Sequence, residues 1–568
     1  MLCFASRPLL PALIAGVCRA GLALCLMSFG AAAAERTPGA GLEAARAHAG
    51  NAVPHATASG GNSSGSFIAS LDQSIGTTAG DMRAAVGSIP PDQRPVKAKL
   101  VGAFLSSDDK KCTNAVWRPW PYSQDDVVNA INAARSWMAS NNSRLRKSRI
   151  LLLDSGFDFA DGNDVIPADY LEKIAVWDSD KGTKVMAVGE NLVTRSSNFS
   201  TFKQDQKDRW HGLEVASVAL GGTLLETFRR QKIDNEPALP IRLFFGNAEH
   251  LTESGLEISE ASLPEAISVA NQTDDLAVIN ASLEIYDDDD AWQDRRQSFN
   301  GADKVVVIAA AGNESVDIRQ QPTYPAIWGG GSPMANQPLI VVTVGAEDSN
   351  GELANWSRYG RQHVDLLAPG CNIQTYEADE ADNQLALKST TLAGTSFAAP
   401  LVSFTAALLY AEDIHPLEIK SRLLTSTDFN PALLSKVYSS GVLNIPKAIS
   451  VWGDIVEFNE PNAKPHLGLV DDKMQNVVNI CNVVTTLDQI LKIAIAKDAK
   501  GKRQAIVWQK QANAMNGEFE EPSRCEVDDD RDKFEFHFLD WATGQRTTVN
   551  LQNLRDFVTS IRAAGAKR

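Results

Sequence analysis

Four short apolar runs lie in the middle of the chain, and segments with helical spacing of apolar residues separate them. The runs cover residues 150–153, 276–280, 305–309 and 339–344. Apolar runs of this length without polar alternation are typical of strands that are buried on both faces. Because such runs alternate here with helical segments, the pattern predicts an α/β fold with a mainly parallel sheet flanked by helices.

Two of the helical segments carry clear signals. Ser123 stands at an N-cap position before residues 124–138, which have acids in the first turn and helical apolar spacing. Residues 397–410 are apolar almost all round, which predicts a buried helix with Ser396 at its positive end. Open parallel sheets place functional side chains at strand carboxyl ends and helix starts, so Ser396 is a candidate.

Residues 455–568 follow a different pattern. Residues 533–541 alternate between apolar and polar, which predicts a strand with one buried face, and a turn then leads into a second strand at 545–549. Residues 550–561 have the spacing of a capped amphipathic helix. The whole segment is therefore predicted to be a small C-terminal α+β accessory domain.

The first 34 residues have the three parts of a removable export signal. Arg7 gives a positive start, residues 21–29 form an apolar core, and the alanines at 31–34 suit a cleavage site. The competing interpretation is a membrane anchor, which Arg19 disfavours because it interrupts the longer apolar stretch. We therefore expect a secreted or periplasmic protein with no membrane span after signal removal.

The segment that follows the signal, residues 35–102, is rich in Ala, Gly, Ser and Asn. It contains too little apolar surface to pack, which predicts a low-complexity, flexible linker, and a pro-region is the alternative. The main globular domain is predicted to begin at Ala103 and to end at residue 454, where the C-terminal pattern takes over.

Cysteine usage agrees with export. Three of the seven cysteines lie in the signal, and the others are Cys112, Cys371, Cys481 and Cys525. Four cysteines allow three pairings, and Cys481 with Cys525 is favoured because both lie in the C-terminal segment. Metal binding is the alternative, but none of the spacings resembles a zinc site.

Three polar residues stand in short motifs whose order indicates a reaction. Asp154 follows an apolar run and precedes Ser-Gly, His211 precedes Gly, and Ser396 stands in Gly-Thr-Ser-Phe-Ala-Ala-Pro. Amide hydrolysis by serine needs a hydroxyl, an imidazole to take its proton and a carboxylate to orient the imidazole. Each motif alone is more typical of a turn, a surface histidine or a helix cap. The set in this order predicts a catalytic triad.

A fourth element completes this chemistry. The apolar run at 305–309 continues through Gly312 to Asn313, whose amide can donate to an oxygen that becomes negative during acyl transfer. Together the four segments resemble the subtilase (S8-type serine peptidase) family, in which an asparagine at the position of Asn313 stabilises the oxyanion. Further matches lie at residues 355–357 and 367–370, and the resemblance covers about residues 145–450.

The resemblance implies a serine endopeptidase that acts on proteins or peptides, with a subtilisin-like peptidase domain over residues 103–454. Ser396 would be the nucleophile, His211 the general base and Asp154 the residue that orients it. Asn313 and the Ser396 backbone N–H would bind the oxyanion. This chemistry requires no cofactor.

The resemblance also assigns the substrate-binding segments. A peptide is expected to pair with Ser282, Leu283 and Glu284 and to lie beside Ala310 and Gly312. The family commonly has glycine where Glu284 stands. A carboxylate there predicts a preference for Lys or Arg near the scissile bond, and the alternative is that Glu284 points to solvent.

Glu214 is a second departure, because the family's histidine motif usually reads His-Gly-Thr-His and Glu214 replaces its last residue. Three positions after His211 on a helix, it lies on nearly the same face. The favoured interpretation is a salt-bridged or solvated substitute. The alternative is a glutamate catalyst of the sedolisin type, which Asn313 disfavours because sedolisins have Asp at that position.

Charge narrows the range of partners. The chain of 568 residues has 54 Lys and Arg against 70 Asp and Glu, a net charge of −16 with no basic stripe, which argues against nucleic acid. The acidic run at 287–290 is a candidate calcium site, but like charges in a row are typical of a solvated surface. Two function classes stay open: an active exported endopeptidase, and a binding or scaffolding protein whose C-terminal domain recruits a partner.

Overall fold

The structure is a computed structural model that describes most of the chain between residues 98 and 558. The described residues are 98–100, 112, 123–140, 143–157, 166–178, 183–187, 189–192, 210–252, 255–258, 262–286, 299, 302, 304–330, 340–348, 351–378, 387–450, 455–459, 466–470, 477–510, 521–540, 545–552 and 554–558. The predicted signal at 1–34, nearly all of the segment 35–102 and the acidic run at 287–290 lie outside them.

Within these ranges the helices concentrate in the first 450 residues. The α-helices are α1 (Gln124–Ser140), α2 (His211–Ala219), α3 (Glu226–Arg229), α4 (Ser262–Gln272), α5 (Thr395–Ala411), α6 (Pro416–Thr425) and α7 (Ile445–Ile449). Short 3-10 turns lie at Ala168–Tyr170, Ala326–Trp328, Pro431–Leu433 and Leu487–Gln489. None of the helices in the described part of the chain is long and apolar enough to cross a membrane.

The strands fall into two groups along the chain. The first group is β1 (Ala98–Leu100), β2 (Ser148–Asp154), β3 (Ile174–Asp178), β4 (Thr183–Ala187), β5 (Gly189–Asn191), β6 (Lys232–Ile233), β7 (Glu236–Pro237), β8 (Ile241–Asn247), β9 (Glu249–Thr252), β10 (Gly255–Ile258), β11 (Leu276–Ala281), β12 (Leu283–Ile285), β13 (Val306–Ala310), β14 (Val341–Glu347), β15 (Leu366–Pro369), β16 (Ile373–Ala378), β17 (Leu387–Leu392), β18 (Asp428–Phe429) and β19 (Gly441–Val442). The second group is β20 (Ile455–Asn459), β21 (His466–Val470), β22 (Val477–Ile480), β23 (Val483–Thr486), β24 (Ile490–Lys497), β25 (Arg503–Gln509), β26 (Ser523–Glu526), β27 (Glu535–Asp540), β28 (Arg546–Asn550) and β29 (Asp556–Val558).

The main sheet has nine strands in the order β18-β19-β15-β14-β13-β11-β2-β8-β5. Every neighbouring pair is parallel except β18 and β19. The four apolar runs predicted as strands correspond to β11, β2, β13 and β14 near the centre of this sheet. The predicted α/β fold with a mainly parallel sheet is confirmed.

Alternate residues of the central strands contact different layers. In β2, Ile150 and Leu152 belong to one apolar cluster, and Leu151 and Leu153 belong to the cluster on the other face. Side chains of a strand alternate between its faces, so a strand covered on both faces favours apolar residues at successive positions. This preference explains why the runs show no polar alternation.

The central helix α5 lies in the first of these clusters, and all its residues from Thr395 to Ala411 are buried. Phe397, Leu401 and Val402 are part of the core there, and the helix packs against several central strands of the sheet. The predicted all-apolar helix is confirmed. The predicted start of α1 is confirmed as well, because Ser123 Oγ accepts a hydrogen bond from Asp126 N at 3.2 Å.

The C-terminal region corrects one prediction. Its main sheet is antiparallel, in the order β26-β25-β24-β29-β20-β21-β27-β28. Strands at 533–541 and 545–549 are confirmed as β27 and β28, but the helix predicted over 550–561 is wrong, because β29 occupies its middle. Phe557 and Val558 are buried there and pair with strands on both sides, so tertiary packing outweighs the helical spacing.

The two sheets share packing contacts, and Ser88–Arg568 form one compact unit. Trp508 of β25 is fully buried in the core cluster of the main sheet, with its ring 5.7 Å from the ring of Tyr438. The favoured disulfide between Cys481 and Cys525 is present, and Cys112 pairs with Cys371. The boundaries at 102 and 454 stay predictions of the sequence.

Candidate active site

Asp154 and His211 form a buried hydrogen-bonded pair at the carboxyl edge of the main sheet. Asp154 is the last residue of β2, and His211 is the first residue of α2. The Asp154 Oδ1 atom lies 2.8 Å from His211 Nδ1 and also accepts from Ser155 N at 2.7 Å. An ionised carboxylate can only accept, so Nδ1 must carry the proton and the neutral ring can accept a proton at Nε2.

The residue after His211 explains how the ring reaches this position. Gly212 N donates to Ser155 O at 2.7 Å, which ties the start of α2 to the end of β2. A Cβ on Gly212 would overlap the Ser155 carbonyl and the Phe157 ring. A glycine here therefore allows the close approach that brings the imidazole to the carboxylate.

Ser396 is the second residue of α5 and is fully buried. Helix α2 packs against α5, and the His211 ring lies 5.8 Å from the ring of Phe397, the residue after Ser396. The Ser396 Oγ atom has no hydrogen-bond partner among the residues described. Hydrogen bonds of a catalytic group often tighten only with substrate, so this geometry is compatible with a nucleophile.

A chain of buried hydrogen bonds holds the start of α5 against the end of β11. Ser282 Oγ donates to the Ser396 carbonyl at 3.1 Å and accepts from Asn280 Nδ2 at 2.9 Å. Asn280 Oδ1 in turn accepts from Ser403 Oγ at 2.9 Å. Sequence reasoning missed Asn280 and Ser403. Ser403 did carry a signal, because it is seven residues after Ser396 and so lies on the same helix face.

Thr395 orients the side chain of Asn313. Asn313 Oδ1 accepts from Thr395 N at 3.0 Å and from Thr395 Oγ1 at 3.1 Å. Because a backbone N–H can only donate, the contacted atom of the amide must be its oxygen. The Asn313 NH₂ group is thereby directed away from Thr395, and no described residue accepts from it. Sequence reasoning also missed this positioning role of Thr395.

The comparison with family models decides the classification. The model of the subtilase family matches residues 63–441. This chain belongs to the subtilase family. Curated relatives of this subtilase include the A-subunit of the subtilase cytotoxin of Escherichia coli, 34% identical over 162 residues, and subtilisin DY of Bacillus licheniformis, 30% identical over 152 residues. Serine protease AprX of Bacillus subtilis is 29% identical over 166 residues.

These matches cover limited parts of each protein. Each match spans 26% of this subtilase. It covers 45% of the length of the cytotoxin subunit, 47% of subtilisin DY and 35% of AprX, so this chain spans less than half the length of each relative. Among solved structures, the A-subunit of the AB5 toxin from E. coli superposes with a TM-score of 0.40 and 22% identity, covering 59% of this chain and 99% of that one. The prenylagaramide maturation protease PagA gives a TM-score of 0.36 at 24% identity, covering 54% and 92%.

Among the predicted substrate-binding residues, Ser282 and Gly312 lie next to the start of α5. Gly312 N donates to Thr395 Oγ1 at 3.2 Å, and Ser282 bonds the Ser396 carbonyl. Leu283 and Ala310 are fully buried, with side chains in the two core clusters. These two residues can therefore offer only backbone atoms to a peptide.

The burial of Glu284 contradicts one of the two interpretations of this residue. Its side chain is 1% exposed, so the interpretation that it points to solvent is wrong. Tyr286 OH donates to Glu284 Oε2 at 2.7 Å, and Arg358 Nη1 lies 3.6 Å from Glu284 Oε1. Arg358 was not singled out in the sequence, because a lone arginine 74 positions further on gives no local signal.

Glu214 is also buried, at 2% exposure in the first turn of α2. The interpretation of this residue as a solvated substitute is therefore wrong. Thr375 Oγ1 donates to the Glu214 carbonyl at 3.2 Å, which ties this turn of α2 to strand β16. The helix that carries His211 is thus fixed at both its first residue and its fourth.

Strand β1 lies along the segment at which a peptide substrate is expected. It pairs antiparallel with β12, with Leu100 opposite Leu283 and Lys99 opposite Glu284. It also contacts β10. The chain's own residues therefore occupy an edge that can accept an extended strand.

Proposed function

We propose that this subtilase is an exported serine endopeptidase that hydrolyses peptide bonds through an acyl-enzyme. The observation that carries the proposal is the buried Asp154–His211 hydrogen bond at the start of the helix that packs against the one bearing Ser396. A structural ion pair would not need a reactive hydroxyl and an oriented amide at the same sheet edge. The names of the relatives, which include a serine protease and a subtilisin, agree with this reaction.

In the first half-reaction, Ser396 Oγ attacks the carbonyl carbon of the scissile peptide while His211 Nε2 takes the hydroxyl proton. Asp154 stays ionised and stabilises the imidazolium through Nδ1. The carbonyl oxygen becomes negative and accepts hydrogen bonds from Asn313 Nδ2 and the Ser396 backbone N–H. The C–N bond then breaks as His211 returns its proton to the leaving amine, which departs as the first product.

In the second half-reaction, a water molecule attacks the ester carbonyl and loses a proton to His211. The same two donors stabilise the second oxyanion. His211 then protonates Ser396 Oγ as the ester bond breaks, which releases the carboxylic acid product and restores the enzyme. Each step uses groups of this chain and water.

The experiment that tests the proposal is labelling of the folded, mature protein with a fluorophosphonate, followed by peptide mapping. The expected result is one covalent adduct on Ser396 and none in Ser396→Ala. Ser136→Ala, a change of a serine on the outer helix α1, is the matched control and should label like the wild type. No adduct on Ser396 would overturn the endopeptidase assignment and favour the binding or scaffolding function.

Export is part of the proposal. The two disulfide pairs suit an oxidising compartment, secreted or periplasmic, because cytosolic disulfides are rare. Fractionation of expressing cells tests this point, since a cytosolic protein with reduced cysteines would contradict it.

We further propose that the segment 35–102 acts as a pro-region, because its strand β1 covers the edge at β12. Lys99 and Leu100 can be replaced together by proline. Because alternate residues of a strand direct their N–H groups toward a given partner, one of these two changes removes a backbone donor from the pairing with β12. The unprocessed double variant should hydrolyse a short peptide several-fold faster than the unprocessed wild type. Equal rates for the two unprocessed proteins would favour the alternative that residues 35–102 are a plain linker.

A further inference from the structure

The space between two segments next to Ser396 determines which side chain can precede the scissile bond. Ser282 contacts the Ser396 carbonyl, and Gly312 contacts Thr395, so both segments lie against the start of α5. In the proposed reaction the carbonyl is attacked by Ser396 and bound by Asn313, so its Cα would lie next to Gly312, the residue that precedes Asn313 and contacts Thr395. The side chain on that Cα must therefore enter the space between Gly312 and β12.

The side chain of Glu284 fills this space. A Cβ placed on Gly312 would overlap Glu284 Oε1 and would lie 2.8 Å from both Cδ and Nε of Arg358. Real carbon atoms do not approach so closely, so the gap next to Gly312 does not admit even a methyl group from that side. Gly312 also has a φ of 109°, a conformation that favours glycine.

Glu284 is held in this position from two sides. Tyr286 donates to its Oε2 atom, and the guanidinium of Arg358 faces its Oε1 atom. Rotation of the side chain toward solvent would separate a buried carboxylate from a buried guanidinium, which is strongly unfavourable. Glu284 is therefore a fixed wall and does not move aside for a ligand.

Arg358 is anchored in turn by several acceptors. Its Nε atom donates to Glu314 Oε2 at 2.9 Å, and its Nη1 atom donates to Gln321 O at 2.9 Å and Thr323 Oγ1 at 3.0 Å. The side chain is fully buried. The positive charge that compensates Glu284 thus comes from Arg358 of the same chain. A Lys or Arg of the substrate is therefore not needed to pair with Glu284.

We infer that Glu284 limits the residue before the scissile bond to small side chains, Gly, Ala or Ser, and excludes bulky apolar and basic ones. This inference rests on the proposed peptidase function and names its substrate class. Glu284 acts as a specificity-determining residue, and Arg358 and Tyr286 are positioning residues that act through it.

The test is a peptide library that varies the residue before the scissile bond, with cleavage sites read by mass spectrometry. The wild type should cleave after Ala with kcat/KM at least ~10²-fold above that after Phe, Leu or Lys, since a filled pocket rejects several methylenes. Glu284→Gly should raise kcat/KM after Phe by about tenfold or more and change cleavage after Ala much less. Fluorophosphonate labelling of each variant reports whether its active site is intact.

Glu284→Gln is the matched control, because it keeps the volume and removes the charge. Steric exclusion predicts a profile like that of the wild type, whereas recognition of basic residues by charge predicts loss of cleavage after Lys and Arg. Wild-type cleavage after bulky residues at rates similar to Ala would overturn the inference and leave the peptidase function standing. Absence of both labelling and hydrolysis would overturn the peptidase function, and the inference with it.

Discussion

The candidate active-site edge of the main sheet and the junction between the two large sheets both bury polar groups, but they arrange them differently. At the junction, Lys447 of α7 donates to Asp428 of the main sheet at 2.6 Å and to Asp556 of the C-terminal sheet at 2.5 Å. Lys492 Nζ donates to the Thr427 carbonyl there. Cations and carboxylates from different elements thus bond one another across the junction.

At the candidate active-site edge, by contrast, the hydrogen bonds fix one end of a polar side chain. Thr395 contacts the oxygen of the Asn313 amide, and Asp154 contacts the Nδ1 atom of the His211 ring. The opposite ends of both side chains are directed away from those partners. The comparison teaches that burial of polar groups does not by itself indicate a functional site. The direction in which the remaining donors and acceptors point is more informative.

The largest expected effect comes from removing the proposed nucleophile at the candidate active-site edge. Ser396→Ala should lower kcat for peptide hydrolysis by about 10⁴-fold or more, because the nucleophile is lost. Its hydroxyl bonds no described residue, so thermal unfolding should stay close to that of the wild type. Turnover of a fluorogenic peptide and a melting curve measure the two quantities. Near-native turnover in this variant would contradict the triad.

Removal of the oriented amide should have a smaller effect. Asn313→Ala should lower kcat by roughly 10²–10³ through the loss of one oxyanion donor, with little change in KM. Thr395→Val removes one of the two hydrogen bonds to the Asn313 oxygen and the acceptor of Gly312 N, and it should lower kcat less, by about tenfold. A loss confined to KM would indicate that Asn313 binds substrate and does not stabilise the oxyanion.

A substitution at the junction should lower the stability of the protein and leave the chemistry of the folded molecule unchanged. Lys447→Met leaves the buried Asp556 carboxylate without its cation and should lower the free energy of unfolding by about 3–5 kcal/mol. Denaturant unfolding measures this change. Lys502→Met, which breaks an exposed ion pair with Glu526, is the control and should leave stability unchanged. The labelling rate of folded Lys447→Met at Ser396 should equal that of the wild type, and a lower rate would argue against independence of the two regions.

The smallest expected effect is a pH dependence at Glu347, the last residue of β14 in the main sheet. Burial, and then the negative charges of Asp428 and Asp348, raise the pKa of Glu347 to about 8 from an ordinary value of 4.5. The folded state therefore binds more protons than the unfolded state between pH 4.5 and 8, and this residue's contribution to stability is lost as pH rises through that window.

Glu347→Gln should remove the loss of stability that ionisation of Glu347 causes as pH rises. Its melting temperature should exceed that of the wild type by about 2 °C at pH 8, and the difference should shrink toward pH 5. Glu352→Gln, at an exposed position nearby, serves as the control. A difference that is constant over pH would show that titration of Glu347 is not its cause.

Several features of this subtilase could be predicted from local sequence. The central strands were predictable because burial on both faces favours apolar residues at successive positions, as in residues 150–153. The contact of Asp154 with His211, on a helix that packs against the one bearing Ser396, was predictable because parallel strands bring their carboxyl ends and nearby helix starts to one edge. The pairing of Cys481 with Cys525 followed from their location in one segment.

Other features were decided by tertiary structure. Residues 550–561 have helical spacing, but Phe557 gains more from pairing between β20 and β24 and from burial in the C-terminal core. The environment of Glu284 depends on Arg358, which the fold brings next to it from another segment. The sequence by itself therefore determined which residue types stand at strand ends and helix starts. Only the tertiary structure decided which charges are buried together, because the partners of a buried charge are set by packing between segments that are distant along the chain.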